Sequence, residues 1–517
     1  MKQDVDIAVI GAGFGGLAAA LTAARAGARV AVFEALKYPG GCASTFTRGG
    51  VQYEAGATLF SGLGEGQLFD RWRRALDIDV RFDMLDTPIE FRTPHVTLPV
   101  SSSRAETIAR LCALPDAPAE RLRAFFAEQR RVADALWPVF EDPGRLPPFS
   151  WSAVGWHLRR SPAYLPLLRV VGRPLVHALR RHRLEGWGPL VSYLNAICQI
   201  TVQAGVDEAE APFAMSTMDY CFRGTGHIHG GIGQLAWGLW DAIGRLGADT
   251  HLSSRVRAIR RDGDCWLISA RKQTVRAPIV IANLLPQAIA PMLHGVPAST
   301  RLKALSAQVA SGWGAAMLYL TLRPHTLPHA APHHLELVAD PMAPFLEGNH
   351  IFCSISGAAE TERAPDGLRT ATISTHVPMD TLRSMTEPEQ KTYITAIQQR
   401  MRQTLRQLAP AVDASVAQEM TASPRTFERF TRRPQGLVGG IPRRAGWRNY
   451  QGLVPRPVHP GLFLVGDSVF PGQSTLATAL GGIRTVRAAL SGQRLLTDWR
   501  ADQAPLRLMQ STAQASK

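Results

Sequence analysis

Residues Val5 to Glu34 read VDIAVIGAGFGGLAAALTAARAGARVAVFE, and this stretch decides the fold. The apolar run Val5–Ile10 predicts a buried strand, and the alanine-rich segment after it predicts a helix. Val30–Phe33 predicts a second strand, closed by Glu34. Between strand and helix, Gly11, Gly13 and Gly16 spell G-x-G-x-x-G. Gly11 permits the tight turn, Gly13 lets a pyrophosphate approach the backbone, and Gly16 lets the helix lie close to the strands. The helix start then offers free N–H groups and a positive dipole to phosphates. Glu34 is placed to accept hydrogen bonds from an adenosine ribose. Glycines alone would mark a flexible loop; with strand, helix, second strand and terminal acid they mark a dinucleotide site.

The rest of the composition sets bounds. A chain of 517 residues, 45% hydrophobic and 19% charged, is globular and long enough for more than one domain. Cys42, Cys112, Cys198, Cys221, Cys265 and Cys353 are scattered without C-x-x-C or zinc-type spacing. They argue against a disulfide framework or a metal site and for a reducing compartment. The first residues lack a basic segment before the apolar run, so they do not read as a signal peptide. No uninterrupted apolar run is long enough to span a bilayer. The formal net charge of +15 suits nucleic acid, anionic lipid or acidic substrates, or simply an arginine-rich surface.

After Glu34 comes KYPGGCASTFTRGGVQYEAGATLF from Lys37, with a turn at Pro39–Gly41 and a hairpin around Gly49-Gly50. A second glycine pair followed by G-x-x-x-[DE]-x-G resembles the FAD-binding segment of the amine oxidase and phytoene desaturase superfamily. Gly41, Gly50, Glu54 and Gly56 hold the motif positions, while Cys42 stands where many members have arginine. Cys42 reads as an inert small residue beside the cofactor rather than a redox group. Further on, His227–Leu239 (HIHGGIGQLAWGL) opens a helix. Asp249–Leu252 with Ser254–Ile259 is expected to pair, and Val275 and Ile279–Asn283 follow as strands. This layout resembles the middle section of the same superfamily, where Val256 matches the residue that meets the adenine. His227 and His229 suit capping or packing, and His325, His329, His333 and His334 suit a surface loop among prolines.

Gly461–Ser468 is an apolar strand ending in Gly466-Asp467, continued as G-D-S-x-F-P-G-Q through Gln473. This resembles the carotenoid isomerase and desaturase branch. The resemblance implies FAD held by Gly11, Gly13, Phe14, Gly15, Gly16, Glu34, Gly41, Cys42, Ala43, Ser44, Val256, Gly466, Asp467, Gln473, Ser474 and Thr475. Asp467 would contact the ribityl–phosphate region, and the helix Leu476–Leu490 would point its dipole at the flavin.

The expected fold is α/β: a doubly wound, Rossmann-like FAD domain (1–67, 214–285 and 424–517) interrupted by a mixed α+β substrate domain (68–213 and 286–423). Within the insertion, Trp151–Leu190 carries Arg159, Arg160, Arg169, Arg173, Arg180, Arg181 and Arg183 against one acid, Glu185, with Trp151, Trp156 and Trp187 interleaved. That mixture suits helices lying on a membrane surface. A solvated charged face and a nucleic-acid groove use the same ingredients; the membrane surface is preferred and nucleic acid is not expected. The family implies an FAD-dependent oxidoreductase acting on an apolar polyene or isoprenoid, cytoplasmic and peripherally membrane-associated. Desaturation and cis–trans isomerisation, and the electron acceptor, stay open. The alternatives are a flavin oxidase or saturase of another lipid-like substrate, and a non-catalytic prenyl-lipid carrier of the dissociation-inhibitor type.

Overall fold

A computed structural model describes residues 2–271, 273–327 and 332–491. Its central sheet has five parallel strands in the order Asp249–His251, Val30–Phe33, Ile7–Ile10, Ile279–Ala282 and Leu462–Leu464. The three middle strands are buried at every position, so both their faces must be apolar. That is why they appear in the sequence as unbroken apolar runs.

Helices Phe14–Arg25, Gly233–Arg245 and Thr475–Ser491 cover one face of this sheet. The other face carries a second sheet, ordered Lys2–Asp4, Thr274–Ala277, Cys265–Ser269, Ala258–Asp262 and Leu293–His294. The doubly wound expectation is therefore corrected: a sheet replaces the second helical layer. The reason lies in the alternation of Cys265–Ser269 and Thr274–Ala277, which bury every second residue as half-covered antiparallel strands do. A related correction concerns Asp249–Leu252 and Ser254–Ile259, which do not pair with each other. Asp249–His251 joins the edge of the parallel sheet, while Ala258–Asp262 starts the next one. Between them the Ser253 and Ser254 N–H groups donate to Leu36 and Glu34 carbonyls at 2.8 and 2.7 Å, holding a loop against the second strand.

A seven-stranded mixed sheet forms the second centre, in the order Val416–Ala422, Trp313–Leu322, Arg369–Pro378, His350–Ile355, His334–Val338, Ile89–Arg92 and Thr97–Val100. Its last two strands come from the first inserted segment and the other five from the second. Ile89–Arg92 runs parallel to His334–Val338, which welds the two segments together. The helix Glu387–Leu408 starts at a Thr386/Glu389 capping box and covers one face with Ile397, Met401 and Leu405. Helices Ala119–Glu141, Gly188–Thr201 and Ala211–Thr217 gather around Phe91, Leu98 and Val338 in another core. The arginine-rich stretch becomes a helix Trp151–Arg159, a 3-10 segment Ser161–Arg169 and a short helix Val176–Arg181. Among the described residues no helix is long and apolar enough to cross a membrane.

The first and last helices of the parallel sheet touch through glycine. A Cβ on Gly482 would run into the Gly15 carbonyl oxygen and lie 2.9 Å from the Ala19 nitrogen. Gly482→Ala is therefore expected to lower stability by about 1–3 kcal/mol through overpacking, read as an earlier urea midpoint. An unchanged midpoint would mean that the two helices stand further apart than described.

Candidate active site

Where Ile7–Ile10 ends, Gly11 takes a φ of +93°, and the chain turns into the helix at Phe14. The side chain of Asn283, at the end of the neighbouring strand, sits under this turn. A Cβ on Gly13 would lie 2.5 Å from its Nδ2, and one on Gly15 or Gly466 would lie 2.8 Å from its Oδ1. Gly16 has its own constraint, since a Cβ there would overlap the Gly11 carbonyl. The second glycine turn docks on the first: the Gly40 N–H donates to the Ala12 carbonyl at 2.8 Å. Ser44 fastens that turn by donating its hydroxyl to the Gly41 carbonyl at 2.7 Å.

Glu34 is buried, and burial raises its pKa against the pull of the backbone donors. Its two carboxylate oxygens accept from the Ala12 N–H at 2.7 Å and the Leu36 N–H at 2.8 Å. The acid thus clamps the glycine turn to the strand end that follows it.

Opposite lies Asp467, whose Oδ2 accepts from Arg433 Nη2 at 2.7 Å. Burial works against the Arg433 cation, but Asp467 and then Cys42 outweigh it and raise its pKa. Burial pushes the Cys42 thiol up, against the opposing pull of Arg433. Ser474 begins the last helix, accepting the Ala477 N–H at 3.1 Å. The half-buried Tyr220 donates its hydroxyl to Ser474 Oγ at 2.5 Å. Gln473 donates to the Ile200 carbonyl at 2.6 Å, tying this helix start to the inserted helical region.

A single cavity of about 980 Å³ connects these groups. Every cofactor residue expected from the sequence lines it except Gly16 and Ser44, which act one layer behind as a packing contact and a turn fastener. The same cavity brings in Asn283, Arg433 and Tyr220, to which the sequence reading gave no role. Asn283 had a usable signal, since it ends an apolar strand beside the glycine turn. Arg433 and Tyr220 carry no local pattern. Ile200, Ala315, Met317, Phe352 and Val438 line the cavity too, together with His376, which burial and then His350 push down to about 3.

The histidine expectations need correction. His333 and His334 are not on a surface loop: His334 begins a central strand and is 1% exposed. His333 stacks on His227 with ring centroids 4.2 Å apart. His227 in turn bonds Glu360 Oε2 at 2.6 Å, and Glu360 Oε1 accepts the Gly230 N–H at 2.8 Å. This gives work to the loop around Glu360–Gly367, as does Arg363, which donates to Glu54 at 3.1 Å. Glu54 also takes the Ile232 N–H at 3.2 Å, just before the helix Gly233–Arg245. His325 is exposed, and His329 lies outside the described residues.

A glycine cradle that any Cβ would fill, an acid at the end of the second strand and a helix start facing the same cavity are what a dinucleotide requires. The residues present fit one, and fold and cavity define a Rossmann-like nucleotide-binding protein. Residues 14–490 match the model of the flavin containing amine oxidoreductases, and the chain belongs to that family. It is an FAD-dependent oxidoreductase, so the carrier alternative falls away. The chain is 25% identical to prolycopene isomerase 1, chloroplastic, of an Oncidium hybrid cultivar over 502 residues, covering 93% of this chain and 83% of that one. It is 34% identical to the neurosporene-forming phytoene desaturase of Cereibacter sphaeroides over 151 residues, 28% of each chain. Among solved structures, an oxidoreductase from Methanosarcina mazei shares the fold at a TM-score of 0.63 and 17% identity, over 93% of this chain and 100% of that one.

Buried and half-buried ionisable groups set an acid limit. Burial and then His227 push His333 down to about 4, and for Glu360 the bond from His227 overrides burial and holds it near 2. In all three groups, His333, His376 and Glu360, the unfolded chain binds protons more readily than the folded one. Stability is then full near neutrality and falls with pH, from about 6.5 downward for the histidines and from about 4.5 downward for Glu360. The melting temperature should decline steadily between pH 6.5 and 4, and His333→Gln should flatten part of that slope. A parent protein whose melting temperature is level across this range would contradict the assignment.

Proposed function

We propose that the enzyme acts on a long apolar polyene or other isoprenoid, as a carotenoid desaturase or a carotenoid cis–trans isomerase. The supporting observation is that the cavity holding Glu34 and the glycine turns is also lined by the apolar Ile200, Ala315, Met317 and Phe352. The names of the relatives, prolycopene isomerase and phytoene desaturase, point the same way. A substrate without polar handles is selected by shape and apolar walls.

In this reading Glu34 takes the ribose hydroxyls, and Gly13 through Gly15 with Gly41 through Ala43 cradle the pyrophosphate. Val256 meets the adenine, while Gly466 and Asp467 hold the ribityl–phosphate region. Gln473, Ser474 and Thr475 place the last helix start beside the isoalloxazine. Bound FAD supplies hydride acceptance at N5 for desaturation or, when reduced, assistance to isomerisation. Arg433 positions the Asp467 carboxylate, and the Tyr220 hydroxyl fixes Ser474 at the helix start. Incubating lipid-dispersed carotenoids with the oxidised and the reduced holoenzyme, with chromatography of the products, tests the assignment. New double bonds identify a desaturase and altered geometry at constant mass an isomerase. No change in any acyclic carotenoid under either condition would overturn the polyene reading and favour the lipid-like oxidase or saturase alternative.

Delivery of such a substrate suits a membrane surface, and we place docking at Trp151–Arg180. Trp151, Leu168 and Leu158 are 91%, 76% and 69% exposed there, beside the exposed Arg159, Arg169, Arg173 and Arg180. Arg181 is a poor candidate for lipid, because it pairs with Glu128, which also bonds His182 at 2.7 Å. Each free arginine near an anionic surface contributes about 1 kcal/mol, and salt screens it. Reversing Arg159, Arg169 and Arg180 to Glu should release the holoenzyme from anionic liposomes with its flavin content intact. Sedimentation with liposomes equal to the parent's would reduce this stretch to a solvated face.

A further inference from the structure

The chain holds a second cavity, of about 380 Å³, at the low end of the usual size for a ligand pocket. It shares a wall with the first. Val465, Gly466 and Asp467 line the large cavity, while Phe463, Leu464, Ser468 and Val469 line the small one.

Its lining carries Arg301, Arg443, Arg448 and Arg456 and no acidic residue. Elsewhere Arg433, Arg363 and Arg104 pair with Asp467, Glu54 and Asp219, while the buried Arg369 and Arg484 donate to backbone carbonyls. Among the described residues the four lining arginines have no carboxylate in an ion pair, and Asp467 acts on Arg443 only through its field. Arg443 is 7% exposed; its Nη2 donates to the Val469 carbonyl at 3.1 Å, but its Nε is buried without a partner. The Nε of Arg301 is likewise buried and unpartnered. Burial pushes Arg443 down to about 10, and burial together with Arg456 lowers Arg301. The first turn of the helix Thr300–Ala310 adds its positive end, since the Ser299 cap takes the Leu302 N–H and not those of Thr300 or Arg301.

Like charges gathered in a half-closed pocket repel one another and lose hydration, and an anion offsets both effects. Guanidinium forks match the spaced oxygens of phosphate groups. We propose that this cavity is a second ligand site, taking a phosphate-class oxyanion on Arg301, Arg443, Arg448 and Arg456. The site is independent of the substrate assigned to the large cavity. Its phosphate can come from a soluble ester or diphosphate, or from a lipid headgroup.

Calorimetric titration of the FAD-loaded enzyme at constant ionic strength tests this. One arm uses sodium diphosphate, a second uses dihexanoylphosphatidic acid as dispersed monomers, and sodium chloride serves as control. The parent should bind one equivalent of at least one phosphate probe saturably, with no heat of binding from chloride. Arg301→Gln combined with Arg456→Gln should weaken that binding roughly tenfold or more while flavin content and melting temperature hold. Should that double variant fold poorly, the exposed Arg448→Gln provides the same comparison. Saturation by diphosphate assigns a soluble ligand, and saturation by the phosphatidic acid alone assigns a headgroup. Failure of both probes to saturate by concentrations on the order of 10 mM, or undiminished affinity in a well-folded variant, overturns the site.

Discussion

The close approach of backbone to backbone at the first glycine turn is the constraint on which the rest depends. Gly16 lies against the Gly11 carbonyl, Gly15 against Gly482, and Gly13, Gly15 and Gly466 crowd the Asn283 amide. The Asn283 amide fills the space between the first helix start and the strand ends, and the first and last helices meet backbone to backbone at Gly15 and Gly482. Dense packing transmits displacement, so a single added methyl group would move a helix rather than deform locally. Because both helices are drawn onto the same strand ends, both helix starts open into one cavity. The elements that meet there are remote in the chain: residues 11–16, Asn283 and Gly466 each arrive on a separate strand of one parallel sheet.

A second set of contacts registers the inserted segments against this frame. Glu54, on the hairpin after the first turn, holds Arg363 from one insertion and the N–H of Ile232 at the start of a flavin-domain helix. Glu360, in the same loop as Arg363, reaches His227 and Gly230. Buried ion pairs add little net stability once desolvation is counted. Removing one partner, however, strands the other charge, so such pairs favour one arrangement of the segments over a slipped one. The hairpin, the glycine-led helix and the loop are therefore tied to one another by buried polar contacts.

Much of this was legible in the sequence where local physics decides. Ile7–Ile10, Val30–Phe33 and Ile279–Ala282 announced themselves because a parallel strand covered on both faces must be apolar throughout. The start of the helix Glu387–Leu408 is written in adjacent residues, the Thr386/Glu389 capping box. Pairing over distance was not legible. Nothing near Ile89–Arg92 says that it lies beside His334–Val338, and nothing near His227 or Arg433 names His333 or Asp467. Gly16 and Ser44 show another limit: a motif position can serve the site by packing behind it, without lining it.

The cavity's own chemistry bears on what can react there. Two titratable groups beside its apolar wall are held neutral near physiological pH: His376 because burial strips it of hydration, Tyr220 because burial raises its pKa further than the Ser474 bond lowers it. Cys42 stays a thiol by the same desolvation. The wall of Ala315, Met317 and Ile200 beside a neutral histidine offers a charged group nothing to replace its water. For a hydrocarbon chain the same wall loses nothing, since no polar group has to be matched. The lining also carries charge, at Glu34, Arg255, Arg257, Glu428, Arg432, Arg433 and Asp467, and the apolar residues named here act on a ligand only by exclusion and shape.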